Sequence, residues 1–408
     1  MKDINIILAT AGGLVLLLGL LSRPIDRSWL SPPLVAFCIG VVLSPYGLNL
    51  LDPEAWGNSH HVLEETTRLT LGISLMGIAL RLPARFPFVH WRSLLILLGI
   101  GMPLMFLISA LLTQWTLGIS LLIALLIGAS ICPTDPVIAS SIVTGGVAKD
   151  NLPAGFRHLL SAESGANDGL AYPFVFLAIL LLTKPTGTAW MEWFFQVWLW
   201  EVAGSVLIGA ILGWCFGRLL NWSERKGFFD QPSFLAVTLA LTLLVLGVGK
   251  LLGTDSILAV FAAGIAYDQL VNGKERSEED NVQEMVNLFF TMPVFALFGL
   301  MAPWGDWLAL GWSGLLLVVL ILLLRRLPII WGLRRWLPPV RERNIALVMG
   351  WFGPIGVSAL FYGVLASSRT GNDQVWIVVS LCVFASVVAH GITAAPFARL
   401  YARKQDLG

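Results

Sequence analysis

Residues 161–173, SAESGANDGLAYP, carry two carboxylates and several other polar groups directly before the apolar run FVFLAILLL at 174–182. A run of that kind is typical of a membrane span, where an ionised aspartate at the bilayer centre costs at least about 2.5 kcal/mol. Such a residue persists either because it is paired or because it binds something. Glu163 and Asp168 are therefore candidate functional residues.

The rest of the chain has the composition of an integral membrane protein. Its 408 residues are 57% hydrophobic and 12% charged, with a mean hydropathy of +0.80, whereas soluble domains contain about 25% charged residues. At about 20 apolar residues for each span, about thirteen spans fit between residues 4 and 397. We predict an all-α polytopic protein that forms one integral membrane unit over residues 1–408, without a soluble domain.

Lysine and arginine are distributed unevenly along this predicted topology. Most of the 26 lie in loops after odd-numbered spans or in the C-terminal tail. The opposite side holds only Lys2, Arg68, Lys184, Lys250 and Arg369. Because cationic loops stay in the cytoplasm, we predict an outer amino terminus, a cytoplasmic carboxyl terminus and an odd number of spans.

Two predicted spans contain residues that interrupt a helix. These residues are Pro133 and Pro136 in span five, and Gly353, Pro354 and Gly356 in span twelve. Proline removes a backbone donor and clashes with the preceding turn, and unwound backbone at membrane depth is tolerated only inside protein or beside a water-filled cavity. A matched pair of broken spans predicts inverted repeats of six spans, with a transport site where the breaks meet.

The polar residues of the opening stretch lie on span six, directly after the first break. At about 100° per residue, Glu163, Ser164, Asn167 and Asp168 fall within about 140° of one another. The glycines among them allow a neighbouring backbone to approach closely. The resulting polar stripe can face the unwound segment PTDP at 133–136.

These motifs resemble those of the monovalent cation/proton antiporters, the sodium/proton exchangers. The matching stretches are CPTDPVIASSIVTGG at 132–146, SAESGANDGLAYPF at 161–174, GWFGPIGVSALFY at 350–362 and AHG at 389–391. The variants ESGANDG and GPIG are most similar to the branch that includes fungal plasma-membrane sodium/proton antiporters and bacterial relatives. The resemblance implies thirteen helices, a homodimer, and exchange of sodium or a similar ion for protons by an elevator-like motion.

The resemblance also implies how the unit is divided and where it lies. Spans 5, 6, 12 and 13 would form the ion-binding core, with the discontinuous spans 5 and 12 crossing in it, and the other spans would form the dimerisation scaffold. The membrane would be a plasma membrane, in a bacterium the inner membrane. The partners would be monovalent cations, protons and lipid, with no cofactor, no nucleic acid and no enzymatic activity.

Site residues follow from the resemblance by position. Asp168 corresponds to the aspartate that binds the ion and the proton, and Ser164 is a ligand one turn earlier. Thr134 would lend a backbone oxygen from the break, so these three residues would hold sodium. Asp135 would act through water or by compensating the half-helix dipoles, and Asn167 would stabilise the site.

Two points concern the neighbours of this site. Glu163 would pair with an arginine of span eleven, either Arg325 or Arg326, and the sequence leaves that choice open. The arginine that does not pair could instead snorkel to the cytoplasmic surface. Residues 72–83 of span three contain no carboxylate, so the additional acidic ligand that some relatives have there is absent.

Competition for one carboxylate then predicts the type of transport. A proton and a sodium ion cannot both occupy Asp168, so a core that moves only when this residue is neutralised must exchange one for the other. Relatives with two adjacent aspartates tend to be electrogenic, and Asn167 removes one of those charges here. We therefore predict electroneutral exchange of one proton per cation.

Other classes of protein fit the sequence less well. A sodium-coupled solute symporter on a similar scaffold remains the alternative, because it also needs two broken spans, although it does not require Asp168 to release a proton. The sequence contains neither a carbonyl-rich selectivity filter of a channel nor the glycine-framed motif of an intramembrane aspartyl protease. Its five histidines show no zinc-ligand spacing.

Overall fold

The structure is a computed structural model that describes residues 2–21, 30–135, 138, 152–228, 234–270 and 276–406. Across these ranges the regular elements are all helices, and no residue there lies in a β-strand. The predicted all-α class is therefore confirmed for this part of the chain. Pro136 and most of the segment that follows it lie outside the described residues.

The helices follow one another with short connections. In the first half they are α1 Lys2–Leu20, α2 Pro32–Leu43, α3 Ser59–Arg81, α4 Phe86–Val89, α5 Trp91–Ile96, α6 Met102–Leu117, α7 Leu121–Ser130, α8 Ala154–Leu170, α9 Tyr172–Thr183 and α10 Thr186–Glu192. In the second half they are α11 Gly204–Arg225, α12 Phe234–Leu251, α13 Ser256–Asp268, α14 Arg276–Leu300, α15 Trp304–Ala309, α16 Gly311–Leu324, α17 Leu327–Leu333, α18 Arg343–Trp351, α19 Val357–Thr370 and α20 Asp373–Asp406. Two π-helical segments, Leu97–Gly101 and Trp193–Ala203, join α5 to α6 and α10 to α11. Short 3₁₀ turns occupy Pro53–Trp56, Arg334–Trp336 and Pro338–Val340.

Five of the described helical stretches are long and apolar enough to cross a bilayer by length and composition. They are Trp91–Leu117, Ala154–Thr183, Thr186–Arg225, Gly311–Trp336 and Asp373–Ala394. Shorter apolar helices of 10–17 residues accompany them. Large apolar side chains also lie on the outside, such as Leu8, Leu251 and Trp312, as expected where lipid replaces water. The count of about thirteen spans stays a prediction.

Local chemistry explains where several of these helices begin and end. The side chains of Asn58, Ser120 and Asp255 accept hydrogen bonds from backbone N–H groups in the first turns of α3, α7 and α13. Such caps satisfy donors that have no partner within the helix. After α6 and α19, Gly118 and Gly371 take left-handed φ angles of 64° and 66°, a conformation that glycine adopts without penalty.

Small residues allow the helices around the candidate site to pack closely. A Cβ added to Gly209 or Gly213 of α11 would overlap the backbone of Ala259 or Ala263 in α13. On the other side of α13, a Cβ at Gly165 of α8 would overlap a phenyl ring. Such small-residue contacts favour helix association in lipid, where hydrophobic burial gives little driving force.

The cations that the sequence places on the arginine-poor side lie in two clusters. Glu65 forms ion pairs with Arg68 at 2.6 Å and with Lys250 at 3.3 Å. Lys184 and Arg369 line one cavity. These contacts join residues that are far apart in the chain, as a shared face of the molecule requires.

The two interrupted segments are in contact with each other. Helix α7 ends at Ser130, after which residues 131–135 leave the helix, and residues 352–356 separate α18 from α19. The backbone N–H of Asp135 donates to the carbonyl of Pro354 at 2.8 Å. This contact fixes one break against the other and brings both to the polar stripe of α8.

Candidate ion-binding site

The polar stripe of α8 is fully buried. Glu163, Ser164, Asn167 and Asp168 are each at most 2% exposed. Helix α8 runs from Ala154 to Leu170 without interruption, so its 3.6-residue period holds the four side chains on one side. The structure thus brings all four to the region of the two breaks, and each has a different set of neighbours.

Thr134 is held by two residues of the stripe. Its backbone N–H donates to Oδ1 of Asn167 at 3.1 Å, and Nδ2 of Asn167 donates to the Thr134 hydroxyl at 2.8 Å. That hydroxyl also lies 3.0 Å from the hydroxyl of Ser164. Asn167 therefore uses both ends of its amide to fix the unwound segment, which is a positioning role next to Asp168.

Asp135 serves the start of α19. Its Oδ2 accepts a hydrogen bond from the backbone N–H of Val357 at 2.7 Å, the first residue of that helix. A carboxylate at this point stabilises the positive end of the helix dipole. A Cβ at Gly356 would overlap the same carboxylate, so only glycine leaves room for it.

Arg325 serves the opposite ends of the two broken helices. Its guanidinium donates to the carbonyls of Ile131, Cys132 and Pro133 after α7, and to the carbonyl of Gly353 after α18. Its side chain is buried, so this arginine does not snorkel to a surface. One cation thereby satisfies carbonyls that two helix ends leave without partners.

Arg326 is the arginine that pairs with Glu163. Two of its nitrogens donate to the two carboxylate oxygens at 2.6 Å each, in a fork-to-fork arrangement. A third nitrogen donates to the carbonyl of Met349 at 3.1 Å. Its aliphatic stem lies where a Cβ of Gly353 would otherwise be. The pair therefore ties α8 to the end of α18.

Asp168 is the carboxylate without a cation among the described residues of this site. Its Oδ1 is buried and has no hydrogen-bond partner there. The hydroxyl of Ser358, in the first turn of α19, faces the same carboxylate and also lacks a well-formed hydrogen bond. The hydroxyl of Tyr362 donates to the backbone carbonyl of Asp168 at 2.6 Å, which fixes the backbone but leaves the side chain available.

His390 supports the second break from α20. Its two ring nitrogens lie 2.9 Å from the carbonyls of Ser386 and Trp351. The hydroxyl of Ser386 accepts a hydrogen bond from the backbone N–H of Ile355 at 2.7 Å. These contacts hold residues 352–356 in place, which gives His390 a positioning role.

The charges of this cluster do not cancel. Glu163 and Arg326 neutralise each other, while Asp135 and Arg325 each face helix ends of opposite polarity. The Asp168 carboxylate remains, together with the repulsion that Asp135 exerts on it. A buried carboxylate with a free oxygen and nearby hydroxyls is suited to accept one positive charge, from a proton or from a hard cation that prefers oxygen ligands.

Two residues near Asp168 were not found from the sequence. Ser358 and Tyr362 lie four residues apart, a spacing that places two side chains on the same face of a helix. Both follow the GPIG break, as Ser164 and Asp168 follow the first break with the same spacing. That parallel was the available signal, and the helix face that α19 presents to Asp168 depends on tertiary packing.

A family model described as sodium/hydrogen exchanger, transmembrane, matches residues 12–400. The chain belongs to the sodium/hydrogen exchanger family. This is a family of membrane transporters, not of enzymes. The exchanger motifs quoted above therefore lie within a match that covers nearly the whole chain.

Named exchangers are similar to this chain over most of its length. The chain is 31% identical to Na(+)/H(+) antiporter 2 of Zygosaccharomyces rouxii over 91% of its own length and 50% of that protein. It is 29% identical to the Na(+)/H(+) antiporter of Schizosaccharomyces pombe, over 96% of its length and 89% of that protein. The chain thus spans about half the length of the first of these relatives.

The fold also matches a solved exchanger structure. The sodium proton antiporter MjNhaP1 from Methanocaldococcus jannaschii, at pH 8, superposes with a TM-score of 0.74 over 99% of both chains, at 15% identity. At that identity the match concerns the fold. It shows that this sodium/hydrogen exchanger chain has the architecture of that antiporter.

Proposed function

We propose that this chain is a secondary active antiporter that exchanges Na⁺, or the related ions Li⁺ or K⁺, for H⁺. The observation that carries this proposal is the buried Asp168 carboxylate, which has an unpartnered oxygen beside the hydroxyl of Ser358. Every other charge of the site is already matched by an ion pair or a helix end. The two relatives described above are both named Na(+)/H(+) antiporters, which supports the same activity.

The proposed ligands come from three elements. Asp168 and Ser164 lie on α8, Thr134 lies in the first break, and Ser358 lies at the start of α19. When the cation enters, the proton leaves the Asp168 carboxyl group for water on the same side, and the carboxylate oxygens take the ion. When a proton returns, the ion is released. The cation is the substrate, and the exchange needs no cofactor.

Coupling follows from the cost of moving the site while it is empty. An ionised carboxylate in the hydrocarbon region costs at least about 2.5 kcal/mol, so the core moves more readily when Asp168 carries a proton or a cation. Either load leaves the site with the same net charge. Asn167 adds no second charge, and we propose a stoichiometry of one proton per cation.

We also propose the arrangement in the membrane. The helices would form about thirteen spans in inverted repeats, with the broken fifth and twelfth spans crossing at Asp135. Spans 5, 6, 12 and 13 would move as a core against a scaffold that forms a homodimer. The amino terminus would face outward and the carboxyl terminus the cytoplasm of a plasma membrane, in bacteria the inner membrane. Alternating access would expose Asp168 to each side in turn.

Proteoliposomes that contain a pH-sensitive dye test the activity. Adding Na⁺, Li⁺ or K⁺ outside should move protons across the membrane in the wild type, and Asp168→Asn should abolish this movement. The exposed Asp306→Asn is a matched control and should leave the exchange intact. Retained cation-driven proton movement in Asp168→Asn would remove this residue from its role.

The same vesicles decide stoichiometry and the symporter alternative. Electroneutral exchange should not respond to a membrane potential imposed without ion gradients. Net transport under that potential alone would overturn the one-to-one ratio. Sodium-dependent uptake of an organic anion, without proton movement in the opposite direction, would favour the symporter instead.

A further inference from the structure

A second pair of carboxylates lies apart from Asp168. Glu201 belongs to the π-helical segment Trp193–Ala203, and Asp255 caps the start of α13. The backbone N–H of Asp255 donates to the backbone carbonyl of Glu201 at 3.0 Å. The two carboxylates interact electrostatically. Two acids from separate elements are thus held together in the folded chain.

Each of these acids keeps one buried oxygen without a partner among the described residues. Oδ1 of Asp255 accepts two backbone hydrogen bonds at 3.0 and 3.3 Å, whereas its Oδ2 accepts none. Oε1 of Glu201 accepts a hydrogen bond from Gln196 at 3.2 Å, and its Oε2 is left over. Asp255 is only 3% exposed. A buried carboxylate oxygen that has lost water without gaining a donor is costly, and a bound cation or proton removes that cost.

A cavity gives access to this pair. It has a volume of about 310 Å³, and its lining includes Glu201, Gln196, Lys184, Glu192 and Arg369. Two of these residues, Lys184 and Arg369, belong to the arginine-poor side in the sequence. The cavity thus reaches the acid pair from that side of the molecule.

The charges around the cavity leave room for one more positive charge. Lys184 and Glu192 form an ion pair with each other. Arg369 faces Glu201 and offsets one of the two carboxylates. When both acids are ionised, one negative charge therefore remains, which matches a monovalent cation better than a divalent one.

Two tyrosines connect this pair with Asp168. Tyr172 interacts with both Glu201 and Asp255. Tyr362 interacts with Asp255 and with Asp168, and its hydroxyl donates to the Asp168 backbone. The acid pair therefore stands between the cavity and the Asp168 site.

We propose that Glu201 and Asp255 form a second monovalent-cation site, which receives the ion from the arginine-poor side before it passes to Asp168. This inference rests on the proposed antiport. Burial raises the pKa of Asp255 to about 7, so the site opens to cations as that proton leaves. The charged and titratable groups that face Asp255 are Glu201, Tyr172 and Tyr362, with Arg369 acting through Glu201.

Transport measured from each side tests the site. Right-side-out and everted vesicles of the full chain give the KM for Na⁺ on either face. Glu201→Gln and Asp255→Asn should raise that KM by about tenfold or more on one face, as expected for losing a charge-assisted ligand, and leave the other face unchanged. Glu192→Gln is the matched control, since this acid lines the same cavity but is already paired, and it should change neither.

Binding of Tl⁺ to purified protein separates this site from the central one. In an Asp168→Asn background, radioactive Tl⁺ at pH 8.5 should still bind with one ion per chain, and adding Asp255→Asn should abolish it. Asn keeps the oxygen that caps α13, and an unchanged circular dichroism spectrum confirms folding. No Tl⁺ bound to Asp168→Asn, or equal KM shifts on both faces, would overturn the second site. Continued exchange by Asp168→Asn would instead overturn the proposed function.

Discussion

The buried pair between Glu163 and Arg326 provides a quantitative test of how the core is held together. Both side chains are almost completely buried, at 1% and 2% exposure, and two hydrogen bonds of 2.6 Å join them. Replacing one partner by methionine leaves the other charge buried and loses both bonds. At about 1.5–3 kcal/mol for each charge-assisted bond, the loss agrees with the 3–5 kcal/mol that breaking a buried pair typically costs.

The double variant separates the pair from its parts. Glu163→Met together with Arg326→Met leaves no buried charge, and unbranched methionine side chains can fill the space. Apolar replacement of a buried pair is often close to neutral, so we expect the double variant to cost less than about 2 kcal/mol. The coupling energy should then be at least about 3 kcal/mol, or roughly 100-fold in the unfolding equilibrium constant.

Unfolding in mixed micelles with increasing SDS provides the assay, followed by the fluorescence of the 17 tryptophans. Four proteins are compared: the wild type, the two single variants and the double variant. Additive costs, with a coupling energy below about 0.5 kcal/mol, would show that the pair does not act as a unit. The KM for Na⁺ of the double variant should stay close to that of the wild type, because neither residue is a proposed ligand.

Three further outcomes follow from the structure. Gly356→Ala should destabilise the protein by about 1–3 kcal/mol, measured as thermal unfolding, because its Cβ overlaps Asp135. Ser358→Ala should raise the KM for Na⁺ in proteoliposomes by about tenfold, with partial rescue by Ser358→Thr; an unchanged KM would exclude its hydroxyl as a ligand. The raised pKa of Asp255, about 7 against about 3.9 in an unfolded chain, means that its stabilising contribution is full below about pH 4 and is lost as pH rises through 7. Asp255→Asn should flatten that part of the stability profile, and an identical pH slope in wild type and variant would contradict the assignment.

The residues of a single helix were predictable because their geometry is local. Ser164, Asn167 and Asp168 share one side of α8 through the helix period alone, and the breaks follow from proline and glycine chemistry. Pro133 and Gly353 accordingly lie where the described helices α7 and α18 have ended. The roles of these residues in transport remain predictions.

The contacts between elements were not predictable in the same way. Arg325 and Arg326 are neighbours in the chain, and the sequence left open which of them pairs with Glu163. The structure pairs Arg326 with Glu163 and turns Arg325 to the carbonyls of the broken helices. Adjacent side chains point in different directions around the chain, so the surrounding packing decides which one meets the acid.

The sequence alone determined that this protein is a membrane protein of the sodium/hydrogen exchanger type, because hydropathy, helix period and the effect of proline act over a few residues. Only the tertiary structure decided that Asp135 caps α19, that Ser358 faces Asp168 and that Glu201 meets Asp255. These contacts join residues that are far apart in the chain. Their energies depend on distances of a few ångströms, which the packing of the helices sets.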